Sequence, residues 1–171
     1  MTELELQAQV ADYLRLQYHN VLFHSDFGSG IKLTKGQAVK QKRLQGGRRA
    51  WPDMFISEPK CISVREGYDH EPEGAHFYGR LTPNIALYVC HGLYIELKKD
   101  GEKLYPGKRA TRTFLAMDNK RYKTEHLQRQ ANMLVLLRQR GYAAYFAVGF
   151  DEAKKIIDEY LGGPAKEEVE F

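Results

Sequence analysis

The sequence predicts an α/β fold in which helices cover a mixed sheet. Segments of helical periodicity alternate with short apolar segments of strand length, and the segment 93–98 alternates strictly between its two faces. The helix and strand that follow this segment fit a crossover connection. The chain of 171 residues, of which 43% are hydrophobic and 28% charged, has the size and composition of one compact domain.

The composition also argues against several classes of protein. No apolar run approaches the ~20 residues that a transmembrane helix needs, and the acidic N-terminus lacks the basic start of a signal peptide. Cys61 and Cys90 each stand alone, so neither a disulfide scaffold nor a structural zinc site is expected. We therefore expect a cytoplasmic protein that does not associate with a membrane.

The first predicted element is a helix from about Thr2 to Tyr18. Thr2 and Glu5 have the spacing of a capping box, so Thr2 is the predicted N-cap. Apolar residues recur at helical spacing at Leu6, Val10 and Leu14.

The next elements are short. Residues 20–24 predict a strand, the glycine-rich residues 26–30 predict a turn, and residues 33–44 predict a basic helix that ends before Gly46. A second strand is predicted over residues 53–56.

Residues 57–91 show poor periodicity, and we interpret them as an insertion that carries one strand at residues 85–89. Residues 93–98 predict a strand with Leu93, Ile95 and Leu97 on one face and Tyr94, Glu96 and Lys98 on the other. Residues 101–123 predict a long basic loop.

The last part of the chain predicts a helix, a strand and a helix. The helix covers residues 124–140 and ends before Gly141, and the strand covers residues 142–148. Asp151 is the predicted cap of a final helix that reaches Leu161. We expect residues 1–163 to form one domain and residues 164–171 to form a flexible acidic tail.

The positive charge is unevenly distributed. The net charge is +4, yet no acidic residue lies between Asp26 and Asp53. A second basic group lies between residues 98 and 123, whereas the chain from Asp151 onward is acidic. This segregation favours a polyanion as partner. The candidate DNA-backbone contacts are Lys32, Lys35, Lys40, Lys42, Arg43, Arg48 and Arg49.

The segment Glu96-Leu97-Lys98 is the strongest chemical signal. On a strand, Glu96 and Lys98 point to the same side, and Asp53 begins a neighbouring predicted strand. Two convergent carboxylates can hold Mg²⁺ or Mn²⁺, and a lysine beside them can stabilise charge on a phosphate. The alternative is an ordinary surface salt bridge between Glu96 and Lys98, because short E-x-K segments are common in proteins.

The sequence resembles the VRR-NUC family of the PD-(D/E)XK nuclease superfamily, and it is especially similar to phage-borne members. The resemblance runs through residues 49–56 (RAWPDMFI) and 92–99 (GLYIELKK), then Gln130 with its following apolar residues, Gly141-Tyr142, and residues 147–153 (AVGFDEA). It implies a restriction-endonuclease-like core and metal-dependent cleavage of DNA, often at branched structures such as Holliday junctions. It also implies a homodimer in a bacterial or phage-infected host cell.

The resemblance further implies roles for particular residues. Asp53 and Glu96 match the metal-binding acids, and Lys98 matches the catalytic lysine. Gln130 matches the glutamine on the helix that follows, and its position on the apolar stripe of this helix favours it over Gln128.

The family also has an acidic residue on the first helix, for which Glu3 and Glu5 are candidates. Glu3 shares the helix face of Leu6 and Val10, while Glu5 lies opposite and already has a role as the capping partner of Thr2. We therefore favour Glu3 as the third metal-binding acid.

These observations predict a divalent-metal-dependent endodeoxyribonuclease that prefers DNA structure to base sequence. The alternative is a DNA-binding module that keeps the nuclease fold without its activity. A retained set of two acids and a lysine favours the enzyme, because a binding module has no need of it.

Overall fold

The structure is a computed structural model and describes residues 1–26, 34–44, 50–65 and 72–163. The helices are α1 (Glu3–Gln17), α2 (Lys35–Leu44), α3 (Glu125–Arg138) and α4 (Gly149–Leu161). The strands are β1 (Phe23–Ser25), β2 (Met54–Ile56), β3 (Lys60–Arg65), β4 (His76–Thr82), β5 (Ile85–Cys90), β6 (Leu93–Lys98), β7 (Phe114–Leu115), β8 (Arg121–Tyr122) and β9 (Ala143–Val148). The predicted acidic tail at 164–171 lies outside the described residues.

The central sheet is mixed, as predicted. Its strand order is β1-β2-β6-β9; β1 with β2 and β2 with β6 are antiparallel, and β6 with β9 is parallel. Parallel neighbours need a crossover, and the chain between β6 and β9 supplies one that contains α3.

Helices cover both faces of this sheet. On one face, α1 and α4 pack against apolar side chains of β2 and β6, including Ile56, Ile95 and Leu97, none of which is exposed. Full burial of such a side chain contributes about 1.5–3 kcal/mol. On the other face, α3 packs against β9 through Leu134 and Ala144. The alternation of β6 sends Glu96 and Lys98 to the α3 side, so the sheet itself separates the candidate site from the main core.

The start of α1 agrees with the predicted capping box. Thr2 is the N-cap, its hydroxyl accepts the Glu5 N–H at 3.2 Å, and the Glu5 carboxylate accepts the Thr2 N–H at 2.7 Å. The start of α2 uses the same arrangement: the Gln37 side-chain oxygen accepts the Thr34 N–H at 2.9 Å. The sequence analysis did not use this second capping signal.

The strand predicted at residues 85–89 is confirmed as β5, but two further strands within residues 57–91 were not predicted. The segment contributes three strands, which form an antiparallel sheet of order β3-β5-β4. β4 was missed because nearly all its residues are exposed, including Tyr78 at 77%. A strand whose two faces both meet solvent has no apolar alternation to detect.

Two smaller predictions also need correction. The predicted loop at 101–123 contains the short antiparallel ladder of β7 and β8. Asp151 does not cap α4; the helix begins at Gly149 after Val148, and the Glu152 carboxylate accepts the Val148 N–H at 2.7 Å. Within the described part of the chain, none of the helices combines the length and the hydropathy needed to span a lipid bilayer.

Candidate active site

Asp53 lies directly before β2 and is held by a hydrogen bond to the backbone of β6. Its Oδ2 accepts the Leu97 N–H at 2.9 Å, and the residue is 7% exposed. The β2–β6 ladder ends at the pair of Met54 and Ile95, so at Leu97 the Asp53 side chain takes the place of a strand partner. This bond brings the Asp53 carboxylate to the part of β6 that carries Glu96 and Lys98.

Glu96 and Lys98 lie on the central strand β6 and are both buried, at 2% and 4% exposure. The Lys98 ammonium donates to Glu96 Oε1 at 2.7 Å. The predicted pair therefore exists, but the simple alternative of a surface salt bridge does not apply, because neither partner lies at the surface.

Gln130 reaches the same carboxylate from α3. Its Nε2 donates to Glu96 Oε1, and its position on the buried stripe of α3 agrees with the sequence analysis. Gln128 points elsewhere and donates to the Leu115 carbonyl oxygen. Among the described residues, Gln130 Oε1 is a buried side-chain oxygen without a hydrogen-bond partner. A buried acceptor of this kind is costly unless a water, an ion or a ligand satisfies it.

The two glutamates of α1 differ as expected. A Glu3 carboxylate oxygen lies 3.7 Å from the Lys98 ammonium, and the Glu3 side chain is 43% exposed. Glu5 instead completes the capping box, and its hydrogen bonds with Thr2 lower the pKa of its carboxyl. Glu3 is therefore the α1 acid that borders the site, although its role remains a prediction.

Burial and neighbouring charges both shift the pKa values of Glu96 and Lys98. Burial and the negative charge of Asp53 raise the pKa of Glu96 to about 8, against the opposing effect of Lys98. Burial lowers the pKa of Lys98, but the attraction of Glu96 outweighs it and raises the pKa above its ordinary value. An added positive charge would relieve the repulsion between Glu96 and Asp53.

The donor set fits a hard divalent cation held by few protein ligands. Within the described residues, no group of three or more acidic, histidine or cysteine side chains is arranged to hold a metal. Mg²⁺, however, is commonly held by one or two carboxylates, with waters and phosphate oxygens as its other ligands. Asp53 and Glu96 could supply those carboxylates, and the unpartnered Gln130 Oε1 could accept a hydrogen bond from a coordinated water.

His126 is a further neighbour of the site. It lies one helical turn before Gln130 on α3. Burial and the charge of Lys98 lower the pKa of His126. The i,i+4 spacing to Gln130 was the available signal, but it has meaning only once α3 is known to pack beside β6.

The structure leaves the predicted DNA-contact residues only partly described. Lys35, Lys40 and Arg43 lie exposed on α2, and Lys42 belongs to the same helix. Lys32, Arg48 and Arg49 fall outside the described residues. A role for this segment in DNA binding therefore stays a prediction.

Comparison with known proteins shows a similarity of fold. The sequence matches no protein-family model, and no curated protein matches it. A solved structure described as a VRR_NUC domain protein aligns with 100% of this chain and 98% of that chain, at 20% identity and a TM-score of 0.51. The chain therefore shares its restriction-endonuclease-like fold, a mixed sheet flanked by helices, with that VRR_NUC domain protein.

Proposed function

We propose that this protein is a divalent-metal-dependent endodeoxyribonuclease that hydrolyses DNA phosphodiester bonds with a preference for branched DNA. The proposal rests on one observation: Asp53, Glu96 and Lys98 lie close together on the central sheet. Asp53 is tied to the backbone between the other two, and Lys98 lies 2.7 Å from Glu96. The shared fold with a VRR_NUC domain protein supports it.

The cation in this proposal is Mg²⁺ or Mn²⁺, held by Asp53 and Glu96 with Glu3 assisting. When bound, such a cation acidifies a coordinated water and neutralises charge on the phosphate. Burial of Glu96 and the nearby charge of Asp53 raise the pKa of Glu96, so the charged form of this carboxyl is costly to maintain here. This cost is typical of a site in which electrostatic function takes precedence over stability.

The remaining roles belong to side chains of this chain. The Lys98 ammonium has a raised pKa and therefore stays protonated near neutral pH, where it donates to the attacking water or to a phosphate oxygen. Gln130 orients the Glu96 carboxylate through its Nε2. Its free Oε1 accepts from the attacking water and thereby helps to position it.

The preference for branched DNA rests on the resemblance to structure-selective nucleases. Contacts to phosphates from exposed basic side chains such as Lys35 and Lys40 provide affinity without reading base sequence. Resolution of a four-way junction requires two nicks, so we expect a homodimer, which light scattering on the purified protein will test.

The decisive experiment measures cleavage of supercoiled plasmid and of a labelled four-way junction, each in Mg²⁺, Mn²⁺ or EDTA. We expect cleavage with either metal, none in EDTA, and a loss of about 100-fold or more in Glu96→Ala. Glu159→Ala, which removes an exposed carboxylate from α4, is the matched control and should cleave normally.

Two outcomes would overturn the proposal. If Glu96→Ala cleaves at the native rate, the acids described here do not form the active site. If the native protein binds the junction but cuts no DNA with any metal, the protein is instead a binding module with a nuclease fold.

A further inference from the structure

A basic cleft lies outside the set of contacts that the sequence analysis assigned to DNA. It has a volume of about 420 Å³, and its basic side chains are Lys99, Lys103, Lys123 and His126. These four residues are called the lysine cleft below. The three lysines are exposed, so their ammonium groups are accessible from solution.

Two backbone hydrogen bonds build the cleft. The Glu102 N–H donates to the Lys99 carbonyl at 3.1 Å and closes a tight turn directly after β6. The Lys123 N–H donates to the Leu104 carbonyl at 3.0 Å and ties the end of β8 to the loop that carries Lys103. These two bonds fix the backbone positions of Lys99, Lys103 and Lys123 relative to one another, so the proximity of the three residues does not depend on side-chain conformation alone.

The positive charge of the cleft is not neutralised. Within the described part of the chain, neither an ion pair nor a side-chain hydrogen bond engages Lys99, Lys103 or Lys123. One acid, Glu102, lines the same space. Cations held near each other without partners repel one another, and an anionic ligand removes this cost.

The cleft borders the candidate active site. Lys99 is the residue after Lys98, and His126 precedes Gln130 by one turn of α3. The charges that act on His126 include those of Lys98, Glu3 and Asp53. A DNA strand that extends from the carboxylates of the candidate active site toward Lys99 and His126 therefore reaches the lysine cleft.

We propose that the lysine cleft binds a backbone phosphate of the DNA strand next to the scissile one and thereby positions that strand across Asp53, Glu96 and Lys98. This inference rests on the proposed nuclease function and specifies where its substrate lies. The bound group is a phosphodiester, recognised by charge and without regard to base sequence. The three lysines are positioning residues, because they touch phosphates that do not react.

The neighbouring larger cavity is less suited to a phosphate. It has a volume of about 630 Å³ and shares Glu102 and Lys103 with the lysine cleft. It is lined by four acids, Glu73, Glu102, Asp118 and Glu152, against three cations, Lys103, Lys120 and Arg138. Of these two cavities, only the smaller one has more basic than acidic side chains, which favours it as the phosphate site.

The test compares two triple variants with the same change in net charge. Lys99→Ala/Lys103→Ala/Lys123→Ala removes the lysine cleft, whereas Arg15→Ala/Arg140→Ala/Lys155→Ala removes three exposed cations that lie outside it and outside the basic segments of the sequence. Affinity for a labelled four-way junction and for a duplex of equal length is measured in EDTA between 50 and 200 mM salt. Thermal melting confirms that both variants fold.

We expect the cleft variant to lower the slope of log affinity against log salt by about 0.9 for each phosphate that it no longer neutralises, on both DNAs. Its KM for junction cleavage should rise about fivefold or more with kcat within about twofold, as for the loss of uniform binding. The control variant should keep the native slope and KM.

The results separate the two proposals. If the native protein binds and cleaves while the cleft variant matches the control in slope and KM, the lysine cleft is not a phosphate site and the nuclease function stands. An equal change in salt slope and KM in both variants would assign the effect to overall charge and would also overturn the proposed phosphate site. Failure of the native protein to bind either DNA would overturn both proposals together.

Discussion

The carboxylate of Asp53 accepts the backbone N–H of Leu97 at 2.9 Å. Leu97 separates Glu96 from Lys98, so this one bond fixes the position of the first acid relative to both other groups. The same side chain therefore has a structural and a proposed catalytic role, and these roles can be separated by substitution.

Asp53→Asn and Asp53→Ala should differ in stability but not in activity. The asparagine oxygen can still accept the Leu97 N–H, whereas alanine leaves this buried donor without a partner, at a cost of about 1–3 kcal/mol. Both variants should lose about 100-fold or more in cleavage rate, because neither retains the carboxylate. Urea unfolding and plasmid cleavage measure the two effects; equal stability of the two variants would show that the Leu97 bond contributes nothing.

Gln130→Leu should lower the cleavage rate about 10–100-fold, since it keeps the volume of the side chain but removes the donor to Glu96. Gln128→Leu provides the matched control two residues away, because Gln128 donates to Leu115 and does not reach the site. Its rate should stay within about twofold of the native rate. A similar loss in both variants would mean that α3 as a whole, and not the Gln130 amide, matters.

Glu3→Ala and Glu5→Ala should give opposite results. Glu3 lies beside Lys98, so its loss should reduce cleavage about tenfold with little effect on unfolding. Glu5 completes the capping box, so its loss should lower the free energy of unfolding and leave cleavage intact. Reversal of this pattern would assign the α1 acid to Glu5.

Asp158 provides a pH-dependent contact between α1 and α4. Its carboxylate accepts the hydroxyls of Tyr13 at 2.5 Å and Tyr18 at 2.7 Å, and the Lys154 ammonium at 2.6 Å. Burial alone would raise the pKa of Asp158, but the hydrogen bonds from these partners outweigh it and lower the pKa below its ordinary value. Asp158→Asn should therefore reduce the free energy of unfolding at neutral pH by about 1–2 kcal/mol.

The sign of this pH dependence follows from the lowered pKa. The stabilisation by Asp158 is complete above the ordinary aspartate pKa of about 4 and is lost as the pH falls through the lower, folded-state value. The difference between the native protein and Asp158→Asn, measured by urea unfolding, should thus be constant from pH 7 to 5 and shrink below pH 4. A difference that stays constant down to pH 2 would contradict the ionised contact.

Local signals in the sequence were sufficient for several parts of the fold. The capping box of Thr2 and Glu5 and the alternation of β6 depend only on neighbouring residues, so α1 and β6 were predicted close to their true bounds. The stripe on α3 likewise distinguished Gln130 from Gln128. Such signals fail for β4, whose two exposed faces remove the alternation that marks a half-buried strand.

The sequence alone singled out the residues proposed to carry chemistry: the order of the acids and the lysine, the helix faces of Glu3 and Gln130, and the segregation of charge. Only the tertiary structure decided that Asp53 binds the Leu97 N–H, that Gln130 donates to Glu96, and that Lys99, Lys103 and Lys123 surround one cleft. These contacts join residues far apart along the chain. Sheet register and helix packing create them, and no periodicity of a single segment contains that information.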